Sequence, residues 1–226
     1  MCKCLVVFQI FFFFTGFCFG QNSYRFKAEI VTKYKNVDSS FRYSKGTVFY
    51  DSNVKKVLYK MTFPEKEMLL SFDTLVYRYV NNKLVSVLGN PLKPEYSIYH
   101  FILSNDISDF GLKKSRFSVA NVQKVDDLIL TKWIPPVEIR SYFGTIMIST
   151  KNKRLNSVLI YDAKNVLINR QIFKNYQSVL GVEIPSEILS VNYIGERKTY
   201  QIVELKSVVI NESGHDEEYN FPIPKN

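Results

Sequence analysis

The residues able to do chemistry are few in this chain, and they are scattered. His100 and His215 are the only histidines and lie far apart, while Cys2, Cys4 and Cys18 all fall within the first twenty residues. A metal site needs several ligands that converge, and a catalytic nucleophile needs a neighbouring base. Neither arrangement is visible, so we expect no catalytic residue, no metal and no cofactor.

One local cluster of ligand-type residues exists, His215-Asp-Glu-Glu218, close to the C-terminus. A short acidic run after Ser213-Gly214 is typical of a solvated turn, and we interpret it as one. The sequence also has no Gly-x-Ser-x-Gly, no phosphate-cradling loop and no paired-glycine dinucleotide signature. These observations favour a binding protein and disfavour an enzyme.

The elements that must position any site are predicted to be β-strands. The chain has 15 Tyr and 18 Phe in 226 residues, which is a composition typical of half-buried pleated surfaces. Apolar and polar residues alternate in several segments that polar turns separate, a pattern that predicts an antiparallel meander within one domain. The predicted strands in the first half are 46–50, 56–63, 67–72, 75–79 and 83–88.

One region breaks the alternation. Ile98, Phe101, Ile102 and Asn105 have helical spacing, and Pro94 suits the start of a helix. We predict a short amphipathic helix inserted after the first group of strands, where mobile lids often occur. The alternative is an ordinary helix that fills one end of the sheet.

The first twenty residues predict the compartment. One cation, Lys3, precedes an apolar run that ends in small residues around Gly16 and Gly20, the pattern of a secretory signal peptide. We expect cleavage between Gly20 and Gln21, which leaves residues 21–226 as one domain outside the cytoplasm. The alternative is an uncleaved N-terminal anchor, although the apolar run is short for a membrane span.

The charge is strongly positive but dispersed. The formal net charge is +9, and the Lys and Arg residues are spread along the chain. A nucleic-acid-binding protein would concentrate them on one helix or stripe. Solvated strand faces explain this distribution, and attraction to an anionic membrane surface or an acidic partner is the alternative.

An aromatic, apolar sheet without visible chemistry must bury its apolar face on another element or on a ligand. A half-closed sheet lined by aromatic side chains, with a helix over its mouth, would form a pocket for an acyl chain. Each CH₂ group removed from water contributes about 0.8 kcal/mol, so such a pocket binds lipid without catalysis.

Residues 45–79 carry a resemblance to a known family. Gly46 opens a strand, an aromatic strand ends at Tyr59-Lys-Met61, Pro64-Glu65 follows, and Asp73 precedes Val76-Tyr-Arg-Tyr79. In this order the segment resembles the LolA family, the periplasmic carriers of outer-membrane lipoproteins. Residues 99–105 are similar to its lid helix and Phe221-Pro-Ile-Pro224 to its closing Phe-x-x-Pro. Residues 171–173 and 181–185 resemble lipoprotein-sorting relatives from Bacteroidetes.

The resemblance implies a mainly β, LolA/LolB-like fold, an unclosed antiparallel β-barrel with a short helical lid over a hydrophobic cavity. It implies a periplasmic carrier, a monomer that takes lipoprotein acyl chains from an inner-membrane exporter to an outer-membrane acceptor, with no role for nucleic acid. The residues predicted to line the cavity and the lid are Val57, Tyr59, Met61, Met68, Leu70, Leu75, Tyr77, Tyr79, Ile98, Phe101 and Ile102.

The sequence also departs from the family pattern. The best-known carriers have an arginine in the turn before the aromatic strand, where it helps to hold the lid, and the turn Asp51–Lys56 has none. Tyr24–Thr32 alternates like a strand where a first helix is expected. A sensor or regulatory domain, or a general lipid-binding domain, on the same fold is therefore an alternative function.

Overall fold

The computed structural model describes residues 24–90 and 92–224. The predicted signal peptide, its cleavage position and the three cysteines lie outside the described residues. Within the described part, no helix has both the length and the apolar character that crossing a membrane requires.

Thirteen strands form the framework of the described chain, as the alternation predicts. Their bounds are β1 Arg25–Lys35, β2 Phe41–Asp51, β3 Lys56–Phe63, β4 Glu67–Phe72, β5 Leu75–Val80, β6 Lys83–Gly89, β7 Ser118–Val125, β8 Leu128–Ile134, β9 Ile146–Lys151, β10 Arg154–Tyr161, β11 Leu167–Val179, β12 Val182–Ile194 and β13 Arg197–Ile210. The predicted bounds of β3 and β4 agree with the structure, whereas β2 begins five residues earlier than predicted.

All thirteen strands belong to one antiparallel sheet with the order β6-β5-β4-β3-β2-β1-β13-β12-β11-β10-β9-β8-β7. Two meanders, β1–β6 and β7–β13, are joined where β1 pairs with β13, for example at Ile30 and Leu205. Strands β6 and β7 are the two edges, so the sheet does not close on itself. The predicted unclosed β-barrel is confirmed.

The tight turns follow from residues that accept a left-handed backbone. Asn81 and Asn82 have φ values of 50° and 60°, and Asn152 and Lys153 have 51° and 64°. Two-residue hairpins of this type match the twist of the flanking strands, and asparagine tolerates the conformation well. These turns fix the pairing of β5 with β6 and of β9 with β10.

The sheet has two faces, and each carries a separate apolar core. We call the face that bears Phe26, Val48 and Val57 the inner face, because it packs against the segment between β6 and β7. The opposite, outer face bears Phe49, Leu58 and other apolar residues that pack against the C-terminal residues. Neighbouring residues such as Val57 and Leu58 therefore belong to different cores, as the period of two in a strand requires.

The inner core gathers residues from most of the sheet. Phe26 in β1, Trp133 in β8, Phe173 in β11 and Leu205 in β13 all belong to it, and all are at most 5% exposed. Strands β1 and β8 lie six positions apart in the sheet and still face the same core, so the sheet curves around it. This curvature places the inner face opposite the segment that enters between β6 and β7.

Candidate functional site

The lid segment, which we define as residues 92–117, covers the inner face. It contains a 3-10 turn at Pro94–Tyr96, helix α1 at Ile98–Leu103 and two further 3-10 turns before β7. Pro94 opens the first turn, and the Ser97 hydroxyl accepts a hydrogen bond from the His100 amide at 3.3 Å. Proline and serine suit these two positions. The predicted helix is present but ends at Leu103, two residues before the left-handed Asn105.

The lid is packed onto the sheet by its apolar side chains. Tyr99, Phe101, Ile102 and Leu103 of α1 are all less than 9% exposed, and Ile102 is fully buried. These residues belong to the same core as the inner-face strands, and α1 contacts β1 and β12. Four buried residues in six exceed what an amphipathic surface helix buries. The lid is therefore closed, and its side chains fill the interior.

Polar contacts also hold this lid to the sheet and its turns, among them the ion pair of 2.6 Å between Lys93 and Asp73. The Tyr50 hydroxyl lies 2.7 Å from His100 Nδ1, and the Lys55 ammonium lies 3.3 Å from the Glu95 carboxylate. Lys55 belongs to the turn in which the resemblance places an arginine, so a lysine makes an ion pair with the lid from that turn.

Burial sets the protonation of the Tyr50–His100 pair. It lowers the pKa of the His100 imidazole, and the charges of Asp106 and Glu95 oppose this shift in part. It also raises the pKa of the Tyr50 hydroxyl. At neutral pH the hydrogen bond therefore joins an uncharged imidazole to a neutral Tyr50 hydroxyl.

Aromatic rings join the lid to both halves of the sheet. Tyr99 packs against Phe26 with ring centroids 5.1 Å apart and meets Tyr59 edge-on at 6.3 Å. On the other side, Phe101 contacts Phe110 at 5.2 Å, and Phe110 reaches Phe173 of β11 at 6.2 Å. Such pairs stabilise the contact beyond the area that they bury.

The architecture is similar to that of several solved structures. A LolA superfamily protein from Nitrosomonas europaea aligns over 88% of this chain and 91% of its own, with TM-score 0.57 and 11% identity. A proposed outer membrane lipoprotein-sorting protein domain from Vibrio parahaemolyticus aligns over 87% and 89%, with TM-score 0.62 and 15% identity. The chain has a LolA-like fold. A DUF1329 family protein from Desulfovibrio piger aligns over 88% and 91%, with TM-score 0.60 and 12% identity.

The likeness to these structures is one of fold. No protein-family model matches the sequence, and no curated protein matches it significantly. The resemblance read from residues 45–79 thus predicted the LolA-like fold correctly, and the particular likeness to Bacteroidetes proteins stays a prediction.

The structure brings together only part of the predicted site on this LolA-like fold. The inner core contains Val57 and Tyr59 of β3 together with Ile98, Phe101 and Ile102 of the lid. Met61 lies in the same inward row of β3, beside Gly46 of β2. These six residues have the placement that a ligand under the lid requires, and their ligand role stays a prediction.

The other five predicted residues lie on the opposite face, and their placement in the sequence analysis was wrong. Met68, Leu70, Leu75, Tyr77 and Tyr79 pack in the outer core. The reason is the pairing of β3 with β4, which sets Lys60 opposite Met68 and Leu58 opposite Leu70. Paired residues share a face, so the second and third predicted rows face away from the lid.

The C-terminal residues cover this outer core. We call residues 211–224 the C-terminal segment; it contains helix α2 at Asp216–Tyr219. The Tyr219 ring is 2% exposed and meets Phe49 edge-on at 5.6 Å, and Phe221 meets Tyr79 edge-on at 5.2 Å. The Lys60 ammonium donates to Glu218 at 2.9 Å. The cluster that we interpreted as a solvated turn is exposed at His215, Asp216 and Glu217, but it forms part of a helix, and the adjacent Tyr219 is buried.

Residues that the sequence analysis did not name complete the inner face. Leu69 pairs with Tyr59, and Val76 pairs with Ser71, which itself pairs with Val57. Their pairing places them in the inward rows, beyond the part of the sheet that α1 contacts. The face was available in principle, because the odd number of residues between Phe63 and Glu67 puts these two residues on the same face of the sheet.

The inner face changes character towards one end of β11 and β12. Phe173 and Ile188 are paired and buried, but two positions further Gln171 pairs with Ser190, and then Asn169 pairs with Asn192. The Asn169 amide donates to the Asn192 side-chain oxygen at 2.7 Å. At this end the apolar inner face is therefore followed by a row of uncharged polar side chains that can form hydrogen bonds.

The described residues contain no group of three or more His, Cys, Asp and Glu side chains placed to hold a metal ion. Surface depressions lie between the loops around Arg140 and Asp162 and beside Tyr176. The features that stand out are the apolar inner face and its lid.

Proposed function

We propose that the protein is a LolA-type periplasmic carrier, which holds the acyl chains of lipoproteins between the inner face and the lid. The observation that carries this proposal is the packing of Tyr99, Phe101, Ile102 and Leu103 directly onto the inner face. A lid whose apolar side chains fill the interior can exchange them for another apolar group. The similarity to a proposed lipoprotein-sorting domain supports the same function.

The free energy of burial favours an exchange of lid side chains for an acyl chain over opening of the lid without a ligand. Six lid residues are buried in the inner core: Tyr99, Phe101, Ile102, Leu103, Ile107 and Leu112. At about 2 kcal/mol each, exposing all six would cost on the order of 10 kcal/mol before the entropy gained by the freed segment. An acyl chain with about 15 CH₂ groups recovers roughly 12 kcal/mol on burial. The two contributions are similar, so an acyl chain can insert between the lid and the inner face and later be released.

The proposed binding residues are Val57, Tyr59 and Met61 on the inner face and Ile98, Phe101 and Ile102 of the lid. Leu69 and Val76 extend the same surface towards β6. The five predicted residues on the outer face would meet a ligand only if the C-terminal segment moved away. We propose that they stabilise the sheet and do not contact the acyl chain.

The single tryptophan provides the test. Trp133 is 5% exposed and belongs to the inner core. A fatty acid that carries bromine atoms on its chain quenches tryptophan fluorescence on contact. We expect a dibrominated stearic acid to quench Trp133 in a saturable manner, and unlabelled palmitate to reverse the quenching.

Two variants test which face of the sheet binds the acyl chain. Phe101→Ala removes a lid side chain and should weaken quenching by the brominated acid, whereas Tyr77→Ala removes an outer-core side chain and should leave the affinity unchanged. Circular dichroism checks that both variants remain folded. The proposal is wrong if wild-type Trp133 is not quenched, and the assigned face is wrong if Tyr77→Ala alone lowers the affinity.

The remaining parts of the proposal concern the setting. We propose that the protein works in the periplasm after loss of residues 1–20, as a monomer without catalytic activity. It would receive lipoprotein from an inner-membrane exporter and pass it to an outer-membrane acceptor. A carrier function predicts transfer of bound acyl chains to acceptor vesicles, and a sensor function predicts retention of the ligand.

A further inference from the structure

One end of the sheet exposes an unusual set of apolar side chains. The strand pairing brings the turns 36–40, 135–145, 162–166 and 195–196 to this end, because Lys35 pairs with both Phe41 and Tyr200 and Ile146 pairs with both Trp133 and Ile160. We call it the apolar end. Its large exposed apolar residues are Val37, Phe41, Val137, Tyr142, Phe143, Val166 and Ile194.

The exposure of these side chains is large. Phe41 is 75% exposed, Val137 72% and Tyr142 78%. The opposite end of the sheet also exposes large apolar residues, Leu88, Leu92, Tyr96 and Leu180. Its basic side chains Lys55, Lys93, Lys151 and Arg154, however, are paired with carboxylates. Exposed apolar residues alone therefore do not mark one end as an interaction surface, and the charge of each end decides between them.

The apolar end is positively charged. Residues 35–45, 162–170 and 194–200 contain seven basic side chains against three acidic ones. Among the described residues, none of the seven has a carboxylate oxygen within 4.0 Å. The seven are Lys35, Arg42, Lys45, Lys164, Arg170, Arg197 and Lys198.

Basic and aromatic groups also lie side by side at this end. The Lys35 ammonium lies 5.6 Å from the centre of the Phe41 ring, and the Lys198 ammonium lies 5.4 Å from that of Tyr193. Side chains of this kind suit a membrane surface, where aromatic rings enter the headgroup region and the ammonium groups meet lipid phosphates. Unpaired basic groups are attracted to anionic lipids and repelled by a like-charged surface.

We propose that the apolar end docks the protein on the surface of an anionic phospholipid bilayer. Phe41, Val137, Tyr142 and Phe143 enter the headgroup region, and the unpaired Lys and Arg side chains contact lipid phosphates. A second copy of this chain fits less well, because two apolar ends would bring like charges together. The proposal is independent of what the inner face binds.

Sedimentation with vesicles tests this docking. The exported protein is mixed with vesicles of phosphatidylethanolamine and phosphatidylglycerol, or of phosphatidylcholine alone. We expect sedimentation with the anionic vesicles, weaker sedimentation at high salt because the charges are screened, and little with phosphatidylcholine.

Matched variants locate the surface. Phe41→Ser should weaken binding roughly fivefold, because it removes one apolar side chain that enters the bilayer surface, and Arg197→Glu should weaken it roughly tenfold, because it reverses one charge. The controls at the opposite end are Leu180→Ser, with equal exposure, and Lys153→Glu, in an equivalent exposed turn. Both controls should bind like the wild type.

Three outcomes would overturn the proposal. Wild-type protein that stays in solution with anionic vesicles would exclude membrane docking. An equal loss of binding in Phe41→Ser and Leu180→Ser would remove the apolar end as the surface. Self-association without vesicles that Phe41→Ser abolishes would assign the surface to a second copy. None of these outcomes bears on acyl-chain binding, which Trp133 quenching reports separately.

Discussion

Replacing Tyr50 with Phe should loosen the lid while leaving the sheet intact. Tyr50 is fully buried, and its hydroxyl makes a 2.7 Å hydrogen bond to His100 Nδ1 in α1. Phenylalanine keeps the ring, so the contact with Tyr99, whose ring centroid lies 6.4 Å away, is retained. The substitution therefore removes one connection between sheet and lid and little else.

The expected effect follows from the cost of an unpaired polar group. A hydrogen bond contributes about 0.5–1.5 kcal/mol net, and a fully buried orphaned partner costs about 1–3 kcal/mol. His100 is only partly buried, so water can reach it once the lid loosens, and the lower part of that range applies. A change of about 1 kcal/mol raises the population of the open lid roughly fivefold.

Hydrogen exchange of the lid amides measures this change. The Phe101 amide donates to the Ser97 carbonyl and the Ser104 amide to the His100 carbonyl, so both report on α1. In Tyr50→Phe both should exchange about fivefold faster, while amides in β12 keep their rates. Tyr96→Phe is the control, because that tyrosine is 61% exposed. Unchanged lid exchange, or equal acceleration in β12, would refute the reasoning.

Three further predictions follow from other contacts. Burial lowers the pKa of His100 below its usual 6.5, so the closed lid binds fewer protons than the open one; its stability is complete above pH 6.5 and decreases as the pH falls below it. Hydrogen exchange of the lid amides, corrected for the intrinsic exchange rate at each pH, should therefore become faster as the pH falls. A corrected rate that does not change with pH would contradict this. Tyr219→Ala should lower the free energy of unfolding in urea by about 3 kcal/mol, because it leaves a cavity in the outer core. Lys60→Ala should lower it by less than about 1 kcal/mol, because its ion pair is half exposed. Equal losses in the two variants would contradict this ranking. Gly46→Ala should cost about 2 kcal/mol or more, since its Cβ would lie 2.4 Å from the Lys60 carbonyl oxygen, and an unchanged urea midpoint would show that the strands can separate.

Local signals in the sequence predicted most of the first meander. The bounds of β3 and β4 follow from the polar turns Asp51–Lys56 and Pro64–Lys66, because those residues interrupt the alternation. Pro94 likewise predicted the start of the lid region. Each signal acts over a few residues, which is the range in which turn chemistry determines the backbone.

The face assignment could not be obtained from alternation alone. Met61 and Met68 look equivalent in sequence, yet Met61 pairs with Glu67 and Lys60 pairs with Met68. A shift of one residue in the pairing reverses the face of a whole strand. The pairing depends on the turn and on the partners across the sheet, and alternation within a single strand contains neither.

Packing between distant parts of the chain was also beyond the reach of local patterns. The acidic run before Tyr219 has the composition of a solvated turn, but Arg25 and Lys60 pair with Asp216 and Glu218 across the sheet. The pairing of β1 with β13 joins the two ends of the chain in the same way. Such contacts are set by tertiary structure, which overrides local propensity.

Native mass spectrometry of the protein, followed by extraction and identification of bound lipid, tests the central claim most directly. The account predicts a population heavier than the bare chain by the mass of acylated lipid or lipoprotein, which Phe101→Ala reduces and Tyr77→Ala does not. A bare mass that persists after incubation with acylated lipoprotein would contradict the claim that the inner face and its lid carry acyl chains.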